Sequence, residues 1–595
     1  MMESVLVEAV MVKELNSQSR RRRGVRRVIL GLGIAGAVAS AVAFRSFFAR
    51  PGEDSLRFIP KDAILFGTMD LSPSPSQTLV FKKIDDALSR NGLDKKLDSA
   101  LTDMVLQNHV GDLVRPYAKR GASFALLTPE KPSESISPDN DLVAYFALSD
   151  GPAVAKILKE NGKRSFWRGT QYYQIEVNGP CLMVVNDMLA VAATGKPLSR
   201  VEKVMEGSAP SILDRPDFAA ERAKIANDAN LMVFLAPEAL AEFSKEAPEE
   251  AKMFAGTYKW MSLGLAIRDG GLAINYSGSF DASAAKWLNP LAHIAPIRSD
   301  LMAIMPKGAY GITATAQPSK YFESTEAALK DQPDGGRALR EMEKGLADNL
   351  NLSLHQDLVP AFQGNAIIGF YPSEASDKVA GIDVLVVFDD KNGATPGALA
   401  ERLRESIERQ AKQQQPDTEP FESSTEGDVK KYRLSADVEK EMQDSFAEET
   451  SGEDDVVDSQ ALMKDKTITW AIVGETVVLS SNQKLLDRTV SSLKGRRDGM
   501  NSDSAWAPSE KNLIDGSQTL FALSISRMAE GFENTFRIEK MGEDTKSIRE
   551  IVESLKALKD PFYLKTRTEE GKTDMGLFIP MDYDRMIDLI GEHSK

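Results

Sequence analysis

The sequence predicts an α+β chain: two tandem copies of a mainly antiparallel sheet with helices, placed after one N-terminal transmembrane helix. Three observations predict it. An uncharged run, Val28–Phe44, follows a cluster of arginines. The stretch "FIPKDAILFGTMDL" at Phe58 returns as "IMPKGAYGITATAQ" at Ile304. Helix-like stretches also alternate with paired, short β-rich runs and lack the regular strand–helix–strand rhythm of a parallel sheet.

The N-terminal element comes first. "RRRRGVRR" spans Arg20 to Arg27, and the seventeen residues that follow carry no charge. That is near the lower limit for crossing about 30 Å of hydrocarbon as a helix, with Arg45 able to snorkel and Phe47 and Phe48 suited to the interface. The basic cluster before the span and Glu53 and Asp54 after it place residues 1–27 in the cytoplasm as a basic tail. Residues 28–48 are then the anchor, 49–55 a linker, and the body lies outside the cytoplasm. A cleavable export signal is the rival reading, since "AVA" at Ala41–Ala43 fits a processing site, and it exports the body equally. "GLGIAG" at Gly31 matches a dinucleotide-binding fingerprint, but no strand precedes it and no strand–helix–strand unit follows, so it carries no such meaning.

The repeat is tested by register. Pro60 maps to Pro306, an offset of 246, and "GDLVRPYAKRGASFALL" at Gly111 maps to "QDLVPAFQGNAIIGFY" at Gln356, an offset of 245. Beyond that the offset is 288: "NDMLAVAATGKPLSRVEKVMEG" at Asn186 with "GETVVLSSNQKLLDRTVSSLKG" at Gly474, Phe218 with Trp506, and "ANLMVFLAPEAL" at Ala229 with "SQTLFALSISRM" at Ser517. The first repeat is assigned to residues 56–290 and the second to 291–595, joined near Trp287–Asp300. The jump in offset locates an acidic insertion near 411–465, read as a solvated loop because it is polar, acidic and poor in aromatics.

Within each repeat the elements follow from local pattern. A Pro-led strand precedes helices whose apolar residues recur at helical spacing: Phe81, Ile84 and Leu88, then Leu93, Leu97, Leu101 and Val105 in the first, and Leu339, Met342, Leu346 and Leu350 in the second. Two β-rich runs come next, "ASFALL" with "LVAYFAL" and "NAIIGFY" with "GIDVLVVF". Asp150 or Thr395 then caps a helix. Short strands such as "QYYQIEV", "CLMVV" and "LAVAAT" follow, and a hairpin closes the unit, with "RDGG" supplying a positive-φ turn in the first copy.

Composition narrows function by exclusion. The net charge is −15; residues 1–50 contribute +6, leaving −21 for the rest. An acidic body without a large basic face is unsuited to nucleic acid, whose affinity comes mainly from Lys and Arg displacing counterions. One cysteine, Cys181, rules out a disulfide framework and a cysteine-rich zinc site, and its setting in "GPCLMVVND" reads as a buried strand thiol. The four histidines stand far apart. No G-x-S-x-G elbow, H-E-x-x-H helix or Walker loop occurs, so no catalytic residue, metal ligand or cofactor is assigned and the body is expected not to be an enzyme. The aromatic residues Trp167, Tyr172, Tyr173, Tyr258 and Trp260 can line an apolar pocket or a partner-binding sheet; core covering a sheet is the simpler reading.

Taken with the N-terminal span, "IPKDAILFGTMDL", "FWRGTQYYQIEV" and "DMLAVAATGKPLSRVEKVM" resemble the bacterial membrane-anchored family called domain of unknown function 3352, over most of residues 56–590. The acidic insertion departs from its compact pattern. The resemblance implies a bacterial, membrane-attached, exported protein without established activity, and it assigns no functional residues. The expected role is therefore a single-pass protein of the bacterial cytoplasmic membrane, attached through Val28–Phe44, whose exported body binds an envelope protein or an apolar ligand. An extracytoplasmic hydrolase and a structural scaffold of the envelope are the alternatives.

Overall fold

The computed structural model describes residues 55–70, 75–93, 114–130, 136, 138–175, 179–222, 229–244, 256–283, 285–330, 335–373, 382–414, 416, 419–435, 468–495, 499–503, 505–506, 516–536 and 546–593. The expected span Val28–Phe44 lies outside them; among the described residues no helix is long and apolar enough to cross a membrane. The chain is α+β with a large antiparallel sheet.

It divides into two compact units, one of Met1–Phe243, Ser262–Asp269 and Tyr583–Lys595, the other of Ser244–Met261 and Gly270–Asp582. This division does not follow the repeat junction expected near residue 290. The reason is strand pairing. The strand Gly271–Phe280, inside the first repeat by sequence, pairs antiparallel with Lys572–Pro580 over nine residues, from Gly271 opposite Pro580 to Ser279 opposite Lys572.

In the first unit the strands are β1 (Ala63–Asp70), β2 (Ala118–Leu127), β3 (Leu142–Leu148), β4 (Lys163–Trp167), β5 (Thr170–Gln174), β6 (Cys181–Val185), β7 (Met188–Ala192) and β8 (Leu231–Leu235). They pair antiparallel in the order β8-β1-β2-β3-β7-β6-β5-β4. The alternation of buried and half-buried residues along β3 is that of a sheet with one face on the core. Strand β9 (Tyr258–Arg268) contributes the carbonyl of Leu265, which accepts the Asn230 amide at 2.7 Å.

The second unit holds β10 (Gly271–Phe280), β11 (Gly311–Ala316), β12 (Asn365–Pro372), β13 (Ile382–Phe388), β14 (Phe421–Glu426), β15 (Val429–Leu434), β16 (Thr469–Val473), β17 (Thr476–Ser480), β18 (Thr519–Leu523), β19 (Phe562–Glu569) and β20 (Lys572–Pro580). Eight of them pair as β18-β11-β12-β13-β17-β16-β15-β14, and the sheet continues from β18 through β19 and β20 to β10.

Contacts far apart in sequence correspond at the offsets of 246 and 288. Pro60 bridges Ser211, and Pro306 bridges Gly499. The Ala236 amide donates to Ile64 O at 2.8 Å, and the Ser524 amide to Tyr310 O at 2.7 Å. The turn between β6 and β7 has Asn186 at φ 49°, and the turn between β16 and β17 has Gly474 at φ 63°. A helix start docks on each turn: Gly151 N donates to Asp187 Oδ1 at 3.1 Å, and Gly397 N to Glu475 O at 3.0 Å. A Cβ on Gly151 would lie 1.9 Å from Asn186 O, so only glycine permits this approach.

Local expectations meet the structure in most places. Helix Pro75–Arg90 buries Phe81 and Ile84. Helix Gly151–Asn161 is capped by Asp150, whose carboxylate accepts the Ala153 amide at 2.9 Å. Helix Gly335–Leu350 differs: Met342 is 43% exposed and Leu339, Leu346 and Leu350 are only half-buried, so the apolar stripe there does not mark a fully covered face. The acidic insertion differs too. The helix Pro396–Gln414 runs into it, and "FESSTEGDVKKYRL" forms the hairpin β14–β15. Five of the six residues of β14 are exposed, which is why a strand there has the composition of a loop. Residues 436–467 of the insertion lie outside the described ones.

Candidate functional site

An open cleft of about 1070 Å³ lies in the first unit. One wall is the Pro60–Ile64 entry to β1 with Thr128–Glu130 after β2. The other is helix Gly195–Met205 with the turn Ala209–Asp217 and Glu238. The entry is held by the Pro60–Ser211 bridge, the Lys61 amide donating to Pro210 O at 3.0 Å and the Ile212 amide donating to Ile59 O at 2.8 Å.

Two arginines organise the walls. Helix Gly195–Met205 buries Leu198, Val201 and Val204, and Arg200 lies within that stripe with a side chain only 13% exposed. Its guanidinium donates to Thr128 O at 2.6 Å and pairs with Asp62. Burial pulls its pKa down to about 10, which still leaves a cation at neutral pH. Arg215 follows the short turn Ile212–Asp214, which is closed by a capping box between Ser211 and Asp214. Its Nε and Nη2 donate to the two oxygens of Asp217 at 3.1 and 2.7 Å, its Nη2 lies 3.9 Å from Glu238, and its guanidinium lies 6.0 Å from the Phe234 ring. Burial works against that charge, but the hydrogen bond and the charge of Asp217, with Glu238, raise the pKa above its ordinary value. The same hydrogen bond, with the Arg215 charge, holds the Asp217 carboxyl below the usual carboxylate range.

A depressed carboxylate pKa stabilises the fold above the ordinary carboxylate range, and that stabilisation is lost as pH falls through the depressed value. Asp217→Asn is therefore expected to lower the melting temperature at neutral pH and to flatten the loss on acidification. Equal acid-side slopes for variant and wild type in a melting series would refute this assignment.

Each cleft carboxylate faces an arginine: Asp62 with Arg200, Asp217 and Glu238 with Arg215, and Glu130 with Arg168 at 2.9 Å. Lys61 and Lys203 are exposed at the rim and make no ion pair among the described residues. At the positions offset by 246 and 288, the second unit has Gly308 for Asp62 and Asp503 for Arg215. There the Gly308 amide donates to Asp503 Oδ2 at 3.0 Å and Arg527 pairs with Asp503. The basic partner at this point of the first unit is thus replaced by an acidic one.

The five aromatic residues singled out by sequence do not share a setting. Trp167, Tyr172 and Tyr173 belong to the first unit, on the β4–β5 hairpin, with Trp167 39% exposed. Tyr258 and Trp260 belong to the second and are buried, the Tyr258 ring edge-on to Phe280 at 6.4 Å. Cys181 is buried, and burial pushes its thiol up to about 11, against the hydrogen bond from Gln174, so it is a poor nucleophile at neutral pH. Sequence reasoning missed the cleft arginines. The available signal was an arginine, Arg200, beside the apolar helical positions Leu198, Val201 and Val204.

The family model described as "Protein of unknown function (DUF3352)" matches residues 25–424. Comparison with curated proteins gave no match. Among solved structures, crystal form I of TP0453 is 11% identical, with 41% of this chain and 87% of that chain covered and a TM-score of 0.21. Crystal form IV of TP0453 is 12% identical, with 38% and 79% covered and the same score. Likeness at that score establishes neither a shared fold nor a shared activity.

Proposed function

Because the chain belongs to the DUF3352 family, whose function is unknown, we propose its role from the cleft and the sequence: a non-enzymatic, single-pass protein of the bacterial cytoplasmic membrane whose exported body, two related α+β copies, binds a partner. The cleft of the first copy takes an anionic group of that partner. One observation carries this reading. The four cleft carboxylates are engaged by arginines, so the groups left to meet a ligand are the lysines Lys61 and Lys203. Paired carboxylates favour binding over acid–base chemistry, since the lowered pKa of Asp217 makes it a weak proton donor at neutral pH. The matching strand orders and the corresponding long-range hydrogen bonds support the duplication. The basic cluster before Val28–Phe44 supports the topology.

The test uses a fluorescent oligoglutamate peptide as the anionic probe and the full chain in detergent. Wild type is expected to bind it saturably, with affinity falling as salt rises, and Lys61→Ala with Lys203→Ala is expected to weaken binding about tenfold. Unchanged binding by the double variant refutes the cleft assignment. A phosphatase reporter fused after Lys595, active only outside the cytoplasm, tests the topology separately.

A further inference from the structure

We propose that the tip of the β4–β5 hairpin is a docking surface for an anionic lipid bilayer. The turn is tight, with Arg168 at φ 47° and Gly169 at φ 93°, and it joins the two strands into one short antiparallel hairpin. At its end Phe166 is 57% and Trp167 39% exposed. Arg164 and Arg168 lie beside these rings, Lys163 begins the same strand opposite Gln174, and no acidic residue occurs between Lys163 and Gln174. The Arg164 guanidinium stacks 4.8 Å from the Phe166 ring and that of Arg168 lies 5.9 Å from the Trp167 ring, while Arg168 also binds Glu130. The base of the hairpin is held by the pairing of β5 with β6 at Tyr173 and Gln174, and nearer the tip its inner side rests on the start of helix Gly195–Met205, where a Cβ on Gly195 would come within 2.4 Å of the Tyr172 ring and 3.0 Å of Trp167 Cβ.

Aromatic rings with arginines beside them match the boundary between headgroups and hydrocarbon, where the ring sits at headgroup level and the cation meets phosphate. Charge points the same way. The sequence beyond residue 50 carries −21 and is repelled by an anionic surface, so the local cations Lys163 and Arg164, beside an Arg168 already paired with Glu130, set which part of the body approaches it. Strand β4 pairs only with β5 among the described residues, which leaves an open edge, but five residues carrying Lys163 and Arg164 make a poor template for another strand. Lipid is therefore favoured over a protein strand. The inference rests on the proposed attachment of the exported body beside a membrane.

The experiment uses the full chain with vesicles of phosphatidylcholine, or of phosphatidylcholine with about a third phosphatidylglycerol, the acyl chains brominated to quench tryptophan within the bilayer. Trp167 is the reporter: Trp260, Trp470 and Trp506 are buried and Trp287 is half-buried. Quenching is expected on the anionic vesicles, to vanish in Trp167→Phe, and to be much weaker on neutral ones. Lys163→Glu with Arg164→Glu is expected to weaken partition by at least about 25-fold, about fivefold for each of the two cations removed, with the repulsion of the two new carboxylates added to it. Equal quenching on both vesicles, or quenching unaffected by the charge reversal, overturns the proposal. Self-association abolished by that variant, without quenching in wild type, assigns the edge to a second copy of the chain and also overturns it. Flotation with neutral vesicles reads the membrane span independently. A chain that floats everywhere with Trp167 unquenched loses the hairpin site and keeps the anchor; one that is quenched only on anionic vesicles and does not float on neutral ones loses the anchor and keeps the hairpin site.

Discussion

Trp506→Ala is expected to destabilise the second unit by about 4 kcal/mol, the range for removing a fully buried large aromatic side chain. Trp506 is completely buried, and its indole N–H donates to the carbonyl of Ala309 at 3.2 Å. Truncation removes the packing, leaves a cavity and strips that carbonyl of a donor. Trp506→Phe introduces the residue found at the position offset by 288, Phe218, which is itself buried and edge-on to Phe66 and Phe234 at 5.7 and 5.1 Å. This milder change is expected to cost about 1 to 2 kcal/mol. Urea denaturation followed by circular dichroism ranks the two. A loss below about 1 kcal/mol for the alanine variant would show that the site collapses around the gap.

Gln518→Leu is expected to cost about 3 kcal/mol although it conserves volume, because it leaves several buried backbone groups without partners. The Gln518 amide nitrogen donates to the carbonyls of Leu291, Ile294 and Thr568 at 3.2, 2.9 and 2.9 Å, and its oxygen accepts the Thr568 amide at 2.7 Å. Gln518→Glu is expected to be at least as damaging, since a carboxylate would face three carbonyl oxygens. Hydrogen-exchange protection of the Thr568 amide reports the local loss directly. Wild-type protection in the leucine variant would contradict the assigned role. At the offset of 288 the corresponding residue is Asn230, whose Oδ1 accepts the Ile267 amide at 2.8 Å and the Gln77 side chain at 2.9 Å. A buried carboxamide therefore joins neighbouring chain segments in both units.

The elements were largely legible because their signals are local. The strands at Ala63, Leu142, Cys181 and Met188 were marked by β-rich runs, and the Gly151 helix by its cap. The hairpin β14–β15 was not legible: its outer strand shows water on both faces and lacks the alternation that marks a half-buried strand. The cleft was legible only in part. Pro60 and its surroundings stood out through the repeat, whereas Arg200 and Arg215 carry no motif and acquire meaning only from Asp62, 138 positions before Arg200, and from Asp217 and Glu238.

By itself the sequence determined the α+β class, the order of elements and the spacing at which they recur, since propensity, periodicity and turn chemistry act over a few residues. Tertiary structure alone decided that β10 pairs with β20, that the compact units cut across the expected junction, and that the cleft carboxylates are held by arginines while two lysines stay open. Each of those outcomes joins groups distant along the chain. Their free energy depends on burial and on which charges meet, and no local pattern encodes either.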